Sequence, residues 1–286
     1  MLITDLDNTL YDWVSFFSRS FSALVQELSL LLHVDEERLL DEFKAIHQKY
    51  GNTEQPFAML ELPSVQNRFG NMDRGDLIKE LERPAYAFNK TRKKHLKLYD
   101  SVNSTLTDLT QDGVRIVGYT EAIMENAFYR LYKLGIVNKF TRIYTLEGNY
   151  LGHPDPERTA FLSPPKELIR IVPRIERKPN PELLLDICRS EGIEPDHTWY
   201  IGDSLVRDIS MARSAGIKSI WAKYGTEYDP SLWSILVRVT HWTKEDVSRE
   251  AELKKRFDKI SPDYTINMFG QVIDIIGGGY KSTSDK

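Results

Sequence analysis

The stretch that most limits what this chain can become is Met1-Leu2-Ile3-Thr4-Asp5-Leu6-Asp7, an apolar run that stops abruptly on two carboxylates. It reads as a short buried strand that delivers acidic groups from its end. From Asp100 onward the texture alternates between strand and helix, the signature of a parallel sheet covered on both faces. Val114–Thr120 is a strand after the Asp112-Gly113 turn, Ile143–Thr145 another, and Thr198–Gly202 and Ile217–Ala222 follow. Tyr264–Asn267 is a candidate edge strand. Between them, Asn180 caps a helix with Pro181 in its first turn and Gly192 past its end, and a second helix runs from Ser204 to Ala215, stopped by Gly216.

Residues 13–92 have a different period. Phe17, Phe21, Leu24, Val25, Leu28, Leu31 and Leu32 recur at three- and four-residue steps, which is the apolar stripe of a helix. Asp35 can cap a second helix striped by Leu39, Leu40, Phe43 and Ile46 and ended by Gly51, and helical pattern continues through Leu77, Ile78 and Leu81 to Pro84. About 80 residues without a clear strand mark a helical insertion or second domain. Two stretches fit neither pattern and read as insertions: the proline-rich 151–174, and 226–262, in which Thr243 and Asp246 announce a helix. The tail from Gly277 reads as frayed.

The chain has 286 residues, 38 basic against 42 acidic for a net charge of −4, and 41% hydrophobic residues. That supports a sizeable core in one large domain or two unequal ones, and excludes a disordered or collagen-like chain. Its apolar stretches fall short of the roughly 18 residues of a membrane span, and Asp5 and Asp7 occupy a place where a secretory leader is apolar. The expected location is cytoplasmic. The near-neutral balance, without a strongly basic block, argues against a nucleic-acid partner. Cys188, the one cysteine, lies in an apolar-periodic segment and reads as a buried thiol; no histidine pair has metal-ligand spacing.

Four clusters fall at strand ends: Asp5-Leu6-Asp7-Asn8-Thr9, Thr120, Lys178, and Gly202-Asp203 with Asp208 five residues later. In an open parallel sheet the carboxyl ends of the strands line the ligand crevice, so the four can meet there. Phosphoryl transfer needs a nucleophile, a proton donor and acceptor, a metal to neutralise phosphate charge, and donors for the equatorial oxygens, and these clusters supply each part. Taken singly, Asp203 or Ser204 could merely cap a helix, Thr9 could be a turn residue and Lys178 a solvated lysine. Their joint occurrence in this order carries the argument.

In that order, Asp5-x-Asp7-x-Thr9, Thr120, Lys178 and Asp203-x4-Asp208 closely resemble the four motifs of the haloacid dehalogenase (HAD) superfamily. The resemblance implies a doubly wound, Rossmann-like α/β core, here 1–12 and 98–286, with a helical cap, 13–97, inserted between the first and second motifs. It implies that Asp5 attacks phosphorus to form an aspartyl-phosphate and that Asp7 is the general acid and base. It also implies a Mg²⁺ ion held by Asp5, the backbone carbonyl of Asp7 and Asp203, with Asp208 as supporting carboxylate. Lys178 and Thr120 would then bind the phosphoryl oxygens, with Thr9 and Glu121 beside them. An acid at Asp7 separates phosphotransfer from dehalogenation, because halide leaves without a proton. Glu121 departs from the asparagine of many relatives, and about 25 inserted residues precede Lys178.

The sequence therefore reads as a Mg²⁺-dependent phosphatase of a small phosphorylated metabolite. The alternatives are a phosphomutase on the same scaffold, or a partner-binding protein that retains the core; the oligomeric state stays open. Substrate choice is expected in the cap, with the Tyr50–Gln55 loop reaching the leaving group. Tyr11, Trp13, Phe16 and Phe17 could wall the leaving group or pack cap against core. The basic run Lys90–Lys97 reads as a solvated helix face.

Overall fold

The computed structural model describes residues 1–55, 57–148 and 163–280. Its strands are β1 (Leu2–Thr4), β2 (Ile116–Ile123), β3 (Arg142–Leu146), β4 (Ile169–Val172), β5 (Trp199–Gly202), β6 (Lys218–Ala222) and β7 (Tyr264–Ile266). All pair in parallel in the order β4-β3-β2-β1-β5-β6-β7. The order reverses at β1, the topological switch point where such sheets place their ligands. Because side chains alternate across a strand, Leu2 and Ile3 point to opposite faces and join different cores. Leu2, Ile116 and Ile201 pack under α6 (Val102–Gln111), α7 (Met124–Lys133) and α12 (Val272–Tyr280). Ile3, Val117 and Tyr200 pack under α8 (Pro181–Glu191) and α9 (Ser210–Ser214). This is the α/β architecture expected.

A third core is wholly helical. It is built by α1 (Trp13–Leu32), α2 (Glu36–Tyr50), α3 (Pro63–Phe69), α4 (Arg74–Glu80) and α5 (Glu82–His95). Asp12 caps α1 by accepting from the Ser15 amide, and Asp35 and Gly51 cap the two ends of α2. Phe17 stacks on Phe21, which meets Phe43 edge to face in the interior, each contributing about 2–3 kcal/mol by burial. Pro84 does not end a helix; it stands in the first turn of α5, where its missing N–H costs nothing.

The last third of the chain departs furthest from expectation. The 226–262 stretch holds two helices, α10 (Pro230–Val239), capped by Asp229, and α11 (Lys244–Arg256), whose Thr243 and Asp246 form the anticipated capping box. Leu232, Leu236 and Val239 of α10 are buried in the helical core, and the Ser18 hydroxyl donates to the Leu232 carbonyl at 2.8 Å. Arg238 also pairs with Glu37 and Asp41, but exposed pairs are worth about 0–1 kcal/mol, so apolar burial holds the helix there. In contrast, α11 reaches the sheet side: Asp246 pairs with Arg177 at 2.8 Å and Glu250 with Arg207 at 3.0 Å.

Three further differences have local causes. The 151–174 stretch lies outside the described residues through 162, and its end forms edge strand β4, obscured in sequence by Pro165 and Pro173 on either side. The segment after Asp203 opens as a π-helical turn, Leu205–Ile209, before α9 begins. The tail is helical through Tyr280, so Gly277 does not mark its fraying; residues 281–286 lie outside the described set. Cys188 is buried, as anticipated. Among the described residues, no helix is long and apolar enough to cross a membrane.

Candidate active site

The exits of β1 and β5 create the centre. The Asp5 amide donates to the Ile201 carbonyl at 2.9 Å, which brings Asp5 beside the strand that delivers Asp203. After β1 the chain turns at Asn8, in the left-handed region with φ 57°, and the Asn8 carboxamide oxygen accepts from the Trp13 amide at 3.1 Å to start α1. After β5, the π turn folds Asp208 back over Gly202. A Cβ on Gly202 would lie 2.4 Å from Asp208 Cγ, so only glycine leaves room for that carboxylate.

Lys178 is the hub. Its Nζ lies 2.5 Å from Asp5 Oδ1 and 2.8 Å from Asp208 Oδ1, in a position only 3% exposed. Asp208 also accepts from the Tyr200 hydroxyl at 2.8 Å and the Ser204 amide at 3.0 Å, so both its oxygens serve protein donors and it orients Lys178. Glu121 accepts from the Lys178 amide at 3.1 Å and from Arg207 at 2.9 Å, while Arg249 donates to the Lys178 carbonyl at 3.0 Å. Glu121 and Arg249 thus bracket the lysine backbone. Thr9 donates to Asp5 Oδ2 at 3.2 Å, and the buried Thr120 hydroxyl oxygen accepts from the Ala122 amide at 3.1 Å.

One ammonium faces three carboxylates. Asp5, Asp203 and Asp208 each offer an oxygen within 4.8 Å of the others. Burial pushes Asp203 well above the usual carboxylate range, and Asp208 and Asp5 push it further. Asp5 rises to about 7, mainly through burial and against the pull of Lys178. Burial disfavours the Lys178 charge, yet Asp208 and Asp5 hold that lysine well above its ordinary value. An excess of negative charge on oxygen donors alone is what a hard divalent cation neutralises, so the residues fit Mg²⁺.

Asp7, two residues from Asp5, is held apart from this cluster. Arg130, fully buried on α7, places Nη2 3.2 Å from Asp7 Oδ2, Nη1 2.5 Å from Glu54 Oε1, and Nε 2.9 Å from the Tyr11 hydroxyl. The Trp13 indole donates to the same Glu54 oxygen at 2.9 Å, and Asn126 to the Glu54 carbonyl at 3.1 Å. Burial raises the pKa of Asp7, Arg130 pulls it down and Glu54 pushes it up again. Glu54 lies in the Tyr50–Gln55 loop that the sequence reading expected at the site, whereas Arg130 was missed. The one available signal was an arginine three residues after Ala127 on the apolar face of α7.

A family model described as haloacid dehalogenase-like hydrolase matches residues 2–161, more than half of the chain, and a second, HAD-hydrolase-like, matches 175–271. The chain belongs to the haloacid dehalogenase-like hydrolases. Glyceraldehyde 3-phosphate phosphatase of Methanopyrus kandleri is 23% identical over 231 residues, 80% of this HAD chain and 85% of its own. N-acetylmuramic acid 6-phosphate phosphatase of Pseudomonas aeruginosa is 43% identical over 67 residues, 22% of this chain and 29% of that one. Among solved structures, a 2-haloacid dehalogenase from Pseudomonas syringae pv. Tomato aligns over 97% of this chain and 98% of its own with a TM-score of 0.54 and 16% identity, a likeness of fold.

Proposed function

We propose that this HAD hydrolase is a Mg²⁺-dependent phosphatase that cleaves a small phosphate monoester through an aspartyl-phosphate on Asp5. The observation that carries the reading is the separation of two carboxylates two residues apart: Asp5 lies against Lys178 and Thr9, whereas Asp7 lies against Arg130. One is held as a nucleophile and the other as a proton carrier. Support comes from the relatives, which are phosphatases of glyceraldehyde 3-phosphate and N-acetylmuramic acid 6-phosphate, and from the Bacillus subtilis HAD structure YfnB, described as bound to magnesium (TM-score 0.50, 16% identity).

Asp5, Asp203 and the Asp7 carbonyl would hold the ion, with Asp208 supporting them; when bound it neutralises phosphoryl charge that would otherwise repel Asp5. An Asp5 oxygen attacks phosphorus while the Lys178 ammonium and the Thr120 hydroxyl bind the phosphoryl oxygens. Asp7 gives its proton to the departing alkoxide. It then takes a proton from the water that attacks the aspartyl-phosphate, and phosphate leaves Asp5. The burial that raises the Asp7 pKa favours the protonated form that the first step requires. Helices 13–97 act as the cap, which closes over the site, excludes bulk water and confines the leaving group to a small molecule.

The test is phosphate release from a panel of sugar and glycol phosphates, with EDTA and Asp5→Asn controls. Release that requires both the metal and Asp5 is the expected result. Undiminished hydrolysis by Asp5→Asn, or silence across the panel from folded, Mg²⁺-supplied protein, overturns the reading.

A further inference from the structure

Arg130 is among the largest side chains in the protein with no exposure. Burying a guanidinium costs several kcal/mol unless its donors are well matched, so its presence in the apolar face of α7 calls for a use. Its three nitrogens serve three acceptors from two parts of the chain: Asp7 and Tyr11 in the turn after β1, and Glu54 from the loop after α2. Two of those acceptors are carboxylates that would repel each other without the cation between them. Asp7 Oδ1 makes no hydrogen bond among the described residues, although Arg130 Nη2 stands 3.2 Å away.

We infer that Arg130 is a positioning residue that fixes the Asp7 carboxylate for proton transfer, and that Glu54 ties the cap loop to the same guanidinium, so that the acid is aligned when the loop is seated. The inference rests on the phosphatase reading for its chemistry and on geometry alone for the latch. Lysine at 130 keeps the charge but cannot reach three acceptors in a planar fork. Glutamine at 54 keeps an acceptor for Arg130 and removes the charge. Neither change touches Asp5, Lys178 or the carboxylates around them.

Leaving groups separate positioning from mere packing. An alkyl phosphate needs its departing oxygen protonated, whereas para-nitrophenolate leaves without help. Arg130→Lys is expected to lower kcat on glycerol phosphate by about 10²-fold with little change in KM, and to lower kcat on para-nitrophenyl phosphate far less. Glu54→Gln, which removes a partly exposed charge and threatens folding less, is expected to shift the alkyl-to-aryl ratio in the same direction. It should also speed amide hydrogen exchange in residues 50–55, while exchange in β1 and β5 stays as in the parent. Equal losses on the two esters in both variants overturn the positioning role, and unchanged exchange in 50–55 overturns the latch. If the parent protein releases phosphate from neither of these esters nor from any member of the panel, the phosphatase reading and the acid-positioning role fall together, and the exchange measurement still decides the latch.

Discussion

Gly202 shows how much chemistry can depend on the absence of a side chain. Its Cα lies under the Asp208 carboxylate, which in turn holds Lys178 against Asp5. Gly202→Ala is expected to push Asp208 off the lysine, cutting kcat by about 10²-fold and stability by about 1–3 kcal/mol. Steady-state kinetics beside a thermal melt would check it; a variant with full turnover would contradict the role given to Asp208. Glu121→Gln keeps an acceptor for the Lys178 amide but loses the negative charge that faces Arg207, so a loss in kcat of about tenfold or less is expected, with the fold intact. At this scale the sequence was legible where chemistry dictates residue type. Asp5, Asp7 and Asp203 stand out because they follow directly on β1 and β5; Thr120 lies inside β2 rather than at its end, and Lys178 comes only after the Arg174–Glu176 turn beyond β4, so those two were legible from residue type and order and not from a strand end. Arg130 does not stand out, because a buried arginine looks like any helical arginine, and its partner Glu54, though inside the Tyr50–Gln55 loop expected at the site, is 76 positions away and leaves no periodic trace of the pairing.

Elements were legible where their ends carry stop signals. Asn180 and Gly192 bracket α8, and Asp35 and Gly51 bracket α2, because caps satisfy backbone groups that would otherwise be stranded. The π turn carries no such signal, and the Asp229-Pro230 start of α10 was hidden inside a stretch read as an insertion. That helix also introduces a pH dependence. His47 of α2 is buried against Phe21 and Phe43, with Nδ1 2.7 Å from the Val239 carbonyl, and burial lowers its pKa to about 4 despite that hydrogen bond. His241, just past α10, also falls to about 4 through burial, helped by Arg174 and opposed by Asp246. Both are neutral when folded. Unfolded histidine titrates near 6.5, so as pH falls the unfolded chain binds protons first, and stability is lost between about 6.5 and 4. Each histidine is expected to remove about 2 kcal/mol by pH 5. Urea midpoints at pH 7.5 and 5 should therefore move less for His47→Phe than for the parent; parallel shifts would show that His47 does not carry the effect.

At the scale of the molecule, the helices that the proposal treats as a cap are joined to the sheet by more than the linkers around residues 12 and 97. The α10–α11 segment adds a third attachment, with one helix in the helical core and the next on Arg177 and Arg207. Leu236→Ala is expected to cost about 2–4 kcal/mol and to raise amide exchange in α1 and α2 more than in the sheet; the reverse pattern would mean that α10 belongs with the strands. The same arrangement bears on how the chain is made. A ribosome releases α1 to α5 early, but Leu232, Leu236 and Val239, which finish their core, emerge more than a hundred residues later. Until then α1 and α2 lack the cover that α10 supplies, and the nascent helices hold an apolar surface open to chaperones or to one another. A chain halted before residue 230 is thus expected to be released as a sticky intermediate, with its enzyme-building residues up to Asp208 already translated and its helical core unfinished.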